Sequence, residues 1–447
     1  MVGIGAAGFG IAGRSFAGVP EQSTSKVEFR PMAGARPNII LILTDDQGYG
    51  DLGRNGNTVI QTPNLDRLYD EGARFEDFHV SPTCSPTRSA SMTGRHEFKN
   101  GVSHTNFGRE RMSLKATTIA QVLKSAGYTT GIFGKWHLGD EDAYQPGRRG
   151  FDESFIHAGG HLNNYFSFGV KHNGKSEKAE GYCTDLFFGQ AMKWIEASKG
   201  KRPFFAYIPT NAPHAPLQVP EKYAKMYEGK VDKETANFFG MITNIDENVG
   251  KLMVKLKEMG IDDHTLVVFI NDNGGTAGCK VFNAGMRGTK TTAFNGGTRA
   301  MSLWRWPGTI KPAACDKLTA HLDLFPTFAE LAGAKVPGDV AKKLEGFSLV
   351  PLLENPVAGW HDDRMLFTHV GRWAVGAEPV KYGACSVRWK QYLQVRGKDK
   401  WTLYDLKADP GEKMDIAYQH NDVTEKLDKA YDAWWSEILP CLDNERR

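Results

Sequence analysis

The stretch Asn38-Ile39-Ile40-Leu41-Ile42-Leu43-Thr44-Asp45-Asp46 runs five branched apolar residues into a threonine and two carboxylates. A short, unbroken apolar run of this kind suits a strand buried on both faces. Three similar runs follow, Thr129 to Phe133, Pro203 to Ile208 and Thr265 to Ile270. Helical patterns lie between them. Ile119, Val122, Leu123 and Ala126 recur at helical spacing, and Gly127 then supplies a stop signal. Strands alternating with helices predict an α/β fold, a large mixed and mostly parallel sheet sandwiched by helices.

Each of the four runs leads into a polar cluster. The first reaches Asp45-Asp46, the second Gly134-Lys135-Trp136-His137, the third Asn211-Ala212-Pro213-His214 and the fourth Asn271-Asp272-Asn273-Gly274. Open α/β sheets bind ligands beyond the carboxyl ends of their strands. Four such clusters therefore point to one shared site, a coincidence that core stability alone does not require.

The residue types indicate the chemistry. Asp45, Asp46, Asp272 and Asn273 offer only oxygen ligands, a set that suits a hard cation, calcium or magnesium, rather than zinc or copper. Three clustered carboxylates repel one another unless a cation lies between them. Read singly, the first pair could cap a helix and Asp272-Asn273-Gly274 could be a plain turn. Cys84 lies in Cys84-Ser85-Pro86-Thr87-Arg88, where Pro86 favours a helix start. An unmodified thiol at such an amino terminus reads as a reactive thiolate. Arg88, four residues on, shares its helix face. Lys135, His137, His214 and Lys290 are the cations that could face an anionic group.

The remainder sets limits. Residues 1–36 read as a tail or an export-signal remnant, Gly/Ala-rich from Val2 to Ala12, with Ser15-Phe16-Ala17 resembling a cleavage site but no Lys or Arg ahead of it. Residues 37–355 form the expected catalytic domain. From about residue 356, Met365 to His369, Cys385 to Trp389, Tyr392 to Val395 and Thr402 to Tyr404 read as a small antiparallel sheet. An amphipathic helix carrying Val423, Leu427, Ala430, Tyr431, Trp434 and Ile438 follows. A net charge of +3 argues against nucleic acid, and no apolar stretch is long enough to span a bilayer. Six scattered cysteines with no C-x-x-C spacing exclude a zinc-cysteine site and a disulfide scaffold.

The chain resembles the type I sulfatases of the alkaline-phosphatase-like superfamily. The resemblance rests on Asp45 to Gly53, the Cys84 signature with Thr93-Gly94-Arg95, and Gly134-Lys135-Trp136-His137-Leu138-Gly139. It continues through Pro213-His214-Ala215-Pro216, Asp272-Asn273-Gly274, Arg287-Gly288-Thr289-Lys290, Gly296-Gly297-Thr298-Arg299 and Leu403-Tyr404-Asp405-Leu406. It implies that Cys84 is oxidised to formylglycine by a maturation enzyme. It further implies that Asp45, Asp46, Asp272, Asn273 and the modified Cys84 side chain meet a calcium ion. A hydrated formylglycine hydroxyl attacks sulfur, with Asp272 accepting its proton, and the second hydroxyl, deprotonated by His137, releases sulfate. His214 and Lys290 serve the leaving oxygen, and Lys135 and Arg88 fix the formylglycine and sulfate oxygens.

A further polar residue of the family falls among His157, His161, Asn163 and Asn164, with His161 carried forward as a substrate contact. Tyr165 and Phe166 are candidates for shaping the pocket. The expected substrate is a sulfated carbohydrate or a small aryl sulfate. A phosphatase or phosphonate monoester hydrolase of the same superfamily, and a non-catalytic glycan-binding relative, are the alternatives. A periplasmic or secreted location is the expectation, with a cytoplasmic one left open.

Overall fold

The continuous apolar strands are continuous because both of their faces are covered. The structure, a computed structural model, describes residues 1–3, 31–397 and 399–442. The Gly/Ala-rich stretch and Ser15-Phe16-Ala17 lie outside the described residues from residue 4 onward. Ten strands form one sheet in the order Ala313–Cys315, Ala73–Phe75, Ser302–Arg305, Thr265–Asn271, Asn38–Thr44, Phe204–Pro209, Thr129–Lys135, Glu153–His157, Ser167–His172 and Lys175–Glu180. The five strands from Thr265–Asn271 to Glu153–His157 are mutually parallel, and antiparallel pairings flank them. The four strands singled out in the sequence are thus immediate neighbours.

Side chains alternate across this sheet. Ile39, Leu41, Leu43, Phe205, Tyr207, Val268 and Ile270 pack on one face with residues of the helices Ile119–Ser125 and Leu324–Leu331. Ile40, Ile42, Ala206, Ile208, Val267 and Phe269 pack on the other with the helices Pro63–Glu71, Cys183–Ser198 and Lys233–Glu258. Each fully buried aliphatic side chain contributes about 1.5–3 kcal/mol, so a two-sided sheet concentrates stability at its centre. Met32 is 1% exposed within the first of these layers, and Arg36 donates to the carbonyls of Ala126 and Ala332. Core packing therefore starts upstream of Pro37, on a segment too short and mixed to show periodicity.

The carboxy-terminal part is a four-stranded antiparallel sheet, Met365–His369, Cys385–Trp389, Tyr392–Arg396 and Trp401–Asp405, covered by the helix Asn421–Ile438. Val423, Leu427, Tyr431, Trp434 and Ile438 are buried as the helical spacing predicts, and Trp435 joins them while Ala430 does not. The Trp434 ring stacks on Phe367 at 5.2 Å and meets His96 edge-on at 4.9 Å. Arg364 forms a two-pronged, buried ion pair with Asp323, at 2.7 and 2.8 Å. All six cysteines are free thiols. No helix among the described residues is long and apolar enough to cross a membrane.

Trp434 links the helix, the small sheet and the segment that follows Cys84. Trp434→Ala should destabilise the protein by about 3–5 kcal/mol, the usual cost of truncating a large buried aromatic, as read from the midpoint of urea denaturation.

Candidate active site

The ends of three of the four adjacent strands are tied to one another by backbone hydrogen bonds. Thr210 N donates to Leu43 O at 2.8 Å, Asp45 N to Ala212 O at 3.2 Å and Asp272 N to Thr44 O at 3.0 Å. Two of the site residues sit in the left-handed backbone region that non-glycine residues avoid, Asp46 with φ 69° and His137 with φ 60°. Such conformations cost about 1–3 kcal/mol each and persist only where the surroundings impose them. Gly134, with φ 142°, precedes Lys135; a Cβ there would stand 1.8 Å from the Pro209 carbonyl oxygen. Lys135 ends its strand rather than opening the following loop.

The helix Cys84–Thr93 enters the middle of this array, and all ten of its residues are buried. Cys84 is its first residue, and Gly94, with φ 65°, closes it by donating to Ala90 O. Pro86 falls in the first turn, where a missing N–H costs nothing because those donors have no partner inside the helix. Asp45, Asp46 and Cys84 offer ligand atoms that all lie within 4.8 Å of one another.

Each buried carboxylate has a cation of its own. Lys135 Nζ donates to Asp45 Oδ2, and Lys290 Nζ to Asp46 Oδ1. Arg88 donates to Asp272 Oδ2 through Nε at 3.2 Å and NH2 at 2.8 Å. Its NH1 and NH2 also donate to the carbonyls of Lys135 and Thr210, at 3.1 and 3.4 Å. Arg88 is thus spent on Asp272 and two strand ends. Asp272 Oδ1 accepts from Asp46 N at 3.3 Å and from Asn273 Nδ2.

Burial governs the protonation of the site. It lifts Asp272 to about 7, aided by Asp45 and opposed by Arg88, and lifts Asp46 to about 6 against the pull of Lys290. At Asp45 burial acts in the same direction, but Lys135, with His214 and Arg88, holds the group well below the usual carboxylate range. The Cys84 thiol departs from the thiolate expected at a helix amino terminus. Burial and the neighbouring Asp45 carboxylate push it up to about 11. The helix end favours an anion, yet the loss of water and a facing negative charge outweigh it.

Burial and Lys135 also hold His137 well below the ordinary histidine value. Its Nε2 lies 2.8 Å from Thr105 O, which can only accept, so Nε2 carries the proton and Nδ1 does not. Nδ1 is buried with no hydrogen-bond partner among the described residues. His214 Nδ1 similarly donates to Ala215 O at 2.7 Å, and its Nε2 lies 3.8 Å from Asp46 Oδ2. Burial pushes His214 down to about 4, against the pull of Asp45.

Asp45 Oδ1 and Asn273 Oδ1 are buried acceptors with no hydrogen-bond partner among the described residues. Orphaned buried oxygens are rare and costly. Two of them beside Asp46 and Asp272 make a donor set that fits a hard divalent cation.

The chain is matched by known proteins. The sulfatase family model covers residues 37–334. The chain belongs to the sulfatase family. A second model, N-sulphoglucosamine sulphohydrolase, C-terminal, matches residues 289–434. N-acetylgalactosamine-6-sulfatase of Mus musculus is 29% identical over 450 residues, 88% of this chain and 84% of that protein. Arylsulfatase A of Homo sapiens is 34% identical over 365 residues, 72% of this chain and 69% of that protein. The solved structure of Ps i-CgsB in complex with k-i-k-neocarrahexaose is 33% identical with a TM-score of 0.83, covering 91% of this chain and 94% of that one. This sulfatase is a member of the alkaline-phosphatase-like superfamily, and its reaction class is hydrolysis of sulfuric esters.

The segment after Phe151 resolves the open candidates of this sulfatase differently. His161 is exposed and faces His214, ring centroids 4.6 Å apart. Both ring nitrogens of His157 lie against carbonyls, those of Gly169 and His161. Asn164 Oδ1 accepts from the backbone of Phe166 and Ser167 in a local turn. Tyr165 does not shape a pocket wall. It is fully buried, with its hydroxyl 2.9 Å from Asn211 O and 2.5 Å from His214 O, bracing the loop that carries His214. Phe166 packs on Tyr182. The Thr105 carbonyl and the Tyr165 hydroxyl act through backbone contacts that no residue pattern announces.

Arg88→Ala would leave Asp272 buried beside Asp45 without its cation. Breaking such a pair costs about 3–5 kcal/mol, and the unfolding midpoint of the variant in denaturant should fall accordingly.

Proposed function

We propose that the chain removes sulfate from a sulfated carbohydrate, with oxidised Cys84 as the nucleophile and calcium held by Asp45, Asp46, Asp272 and Asn273. The observation that carries this reading is the joint placement of Cys84 with Asp45 and Asp46, beside two orphaned acceptor oxygens. Calcium in that cradle would supply positive charge to the nucleophile and to the ester's oxygens. Formylglycine, as its hydrate, offers two hydroxyls on one carbon, one to take the sulfuryl group and one whose loss of a proton releases it.

The chain's own residues fill the remaining roles. Lys135 and Lys290 present fixed charges to the non-bridging oxygens without reorganisation. Asp272, whose carboxylate Arg88 holds in place, takes the proton of the attacking hydroxyl. The neutral His137 has a bare Nδ1, and so can accept the proton of the second hydroxyl. His214 and Lys290 attend the leaving oxygen; His214, neutral with its one proton given to Ala215 O, has to take up a proton at Nε2 before it can donate there. Arg88 acts at one remove, holding Asp272 and the strand ends in place.

The sugar substrate is supported by the names of the relatives and by the rim. Phe107 is 71% exposed two residues from Thr105, whose carbonyl holds His137, and Phe166 is 41% exposed. Exposed aromatic faces beside polar groups suit a sugar ring. A periplasmic or secreted location accords with such substrates.

The peptide Phe75 to Arg88, from protein made together with a formylglycine-generating enzyme, should be roughly 18 Da lighter than the cysteine form. Cys84→Ser, which lacks the second hydroxyl, should retain one covalent SO3 group or lose turnover; sustained multiple turnover in that variant would sink the mechanism. Calcium at a hundredfold excess over its dissociation constant should stabilise the protein by about 2.7 kcal/mol. Asn273→Ala should abolish that thermal shift, and an unresponsive parent protein would remove calcium from the reading.

A further inference from the structure

The segment from His157 to Tyr165 grips the site histidines at several points. Trp136 N donates to His157 O at 2.9 Å and His137 N to Ala158 O at 3.1 Å, which seats the segment on the backbone of His137. At Gly160 a Cβ would stand 2.4 Å from His137 Nε2, so the bare backbone lies directly against that ring. His157 Nε2 is 2.9 Å from the carbonyl of His161, fixing the next turn of chain. His161 then sets its ring perpendicular to that of His214, with centroids 4.6 Å apart and planes at 82°. The same ring lies 6.4 Å from that of His137, at 72°. Tyr165 closes the grip on the backbone carbonyl of His214.

His214 has few other restraints on its ring. Nδ1 bonds the carbonyl of the adjacent Ala215, and Nε2 is 3.8 Å from the nearest carboxylate oxygen of Asp46, too far for a hydrogen bond. The rotation of the imidazole therefore depends on what packs against it, and His161 does so edge to face. Although His161 is partly open to solvent, desolvation of its ring and the neighbouring His214 push it down to about 4, and the edge-to-face geometry makes the contact one between rings.

We propose that His161 is a positioning residue, whose ring holds the His214 imidazole in the orientation it needs at the leaving oxygen. This rests on the role given to His214 under the proposed function. It assigns His161 to another side chain rather than to the substrate. A nitrogen is then not required at position 161, but a flat ring is.

The test uses the mature enzyme and a series of aryl sulfates graded in leaving-group strength, with kcat and KM measured separately. Orientation errors at an acid–base group cost up to about 100-fold. His161→Ala should lower kcat about 10- to 100-fold on phenyl sulfate. It should lower it far less on 4-nitrophenyl sulfate, whose phenolate leaves unaided, with KM nearly unchanged on both. His161→Phe, which keeps the ring and loses the nitrogens, should restore most of the rate. Equal losses across the series, a rise in KM at constant kcat, or a phenylalanine variant as poor as the alanine one would overturn the proposal. If the alanine variant does not fold, His161→Gln, polar but without a ring, takes its place beside His161→Phe in the same comparison. A mature parent enzyme inactive on every sulfate would remove the proposed function itself; an active parent with unaffected variants would remove only the role of His161.

Discussion

Three buried carboxylates matched one to one by three cations are the constraint on which the rest of the site depends. The carboxylates Asp45, Asp46 and Asp272 stand buried at the ends of adjacent strands and are met by Lys135 from a third strand end, Lys290 from a loop and Arg88 from the helix Cys84–Thr93. Buried pairs of this kind contribute little net stability, because desolvation offsets their attraction. Their value lies in fixing charge where it is needed. Formal charges of three against three sum to zero, so a divalent cation would leave the cluster positive, as an anionic ester requires.

The scaffold delivers these side chains because the strands that carry them are neighbours in one parallel array. Parallel pairing aligns four carboxyl ends at one edge; backbone bonds from Thr210, Asp45 and Asp272 lock three of them together, and Arg88 ties in the fourth through the Lys135 carbonyl. The left-handed backbone at Asp46 and His137 then turns each chain sharply at the point of use. Strain of this order is tolerable only above a core as thoroughly buried as the one beneath it.

Much of this was legible in the sequence, for physical reasons. Runs such as Ile39 to Leu43 are apolar on both faces because helices cover both, and that pattern needs no partner to be recognised. The polar clusters were legible because strand ends are where such a sheet binds ligands. Other features escaped. Cys84 looked like a thiolate from its helix position, whereas its burial beside Asp45 decides the opposite. The sequence placed Arg88 beside Cys84 but did not show that its guanidinium also binds Asp272 and two strand-end carbonyls. Tyr165 and the Thr105 carbonyl brace histidines remote in sequence, and Met32 enters the core from a segment with no period. These depend on tertiary proximity, which local patterns do not encode.

The burial of the helix Cys84–Thr93 also sets an order of events. Cys84 is 2% exposed, and every residue around it in that helix is enclosed by the finished core. An enzyme that oxidises Cys84, as proposed, needs access to that side chain, and the folded state encloses it. Oxidation as proposed would then come before that helix is enclosed. The race between that modification and collapse of the core, rather than catalytic competence alone, would set what fraction of molecules ever becomes active.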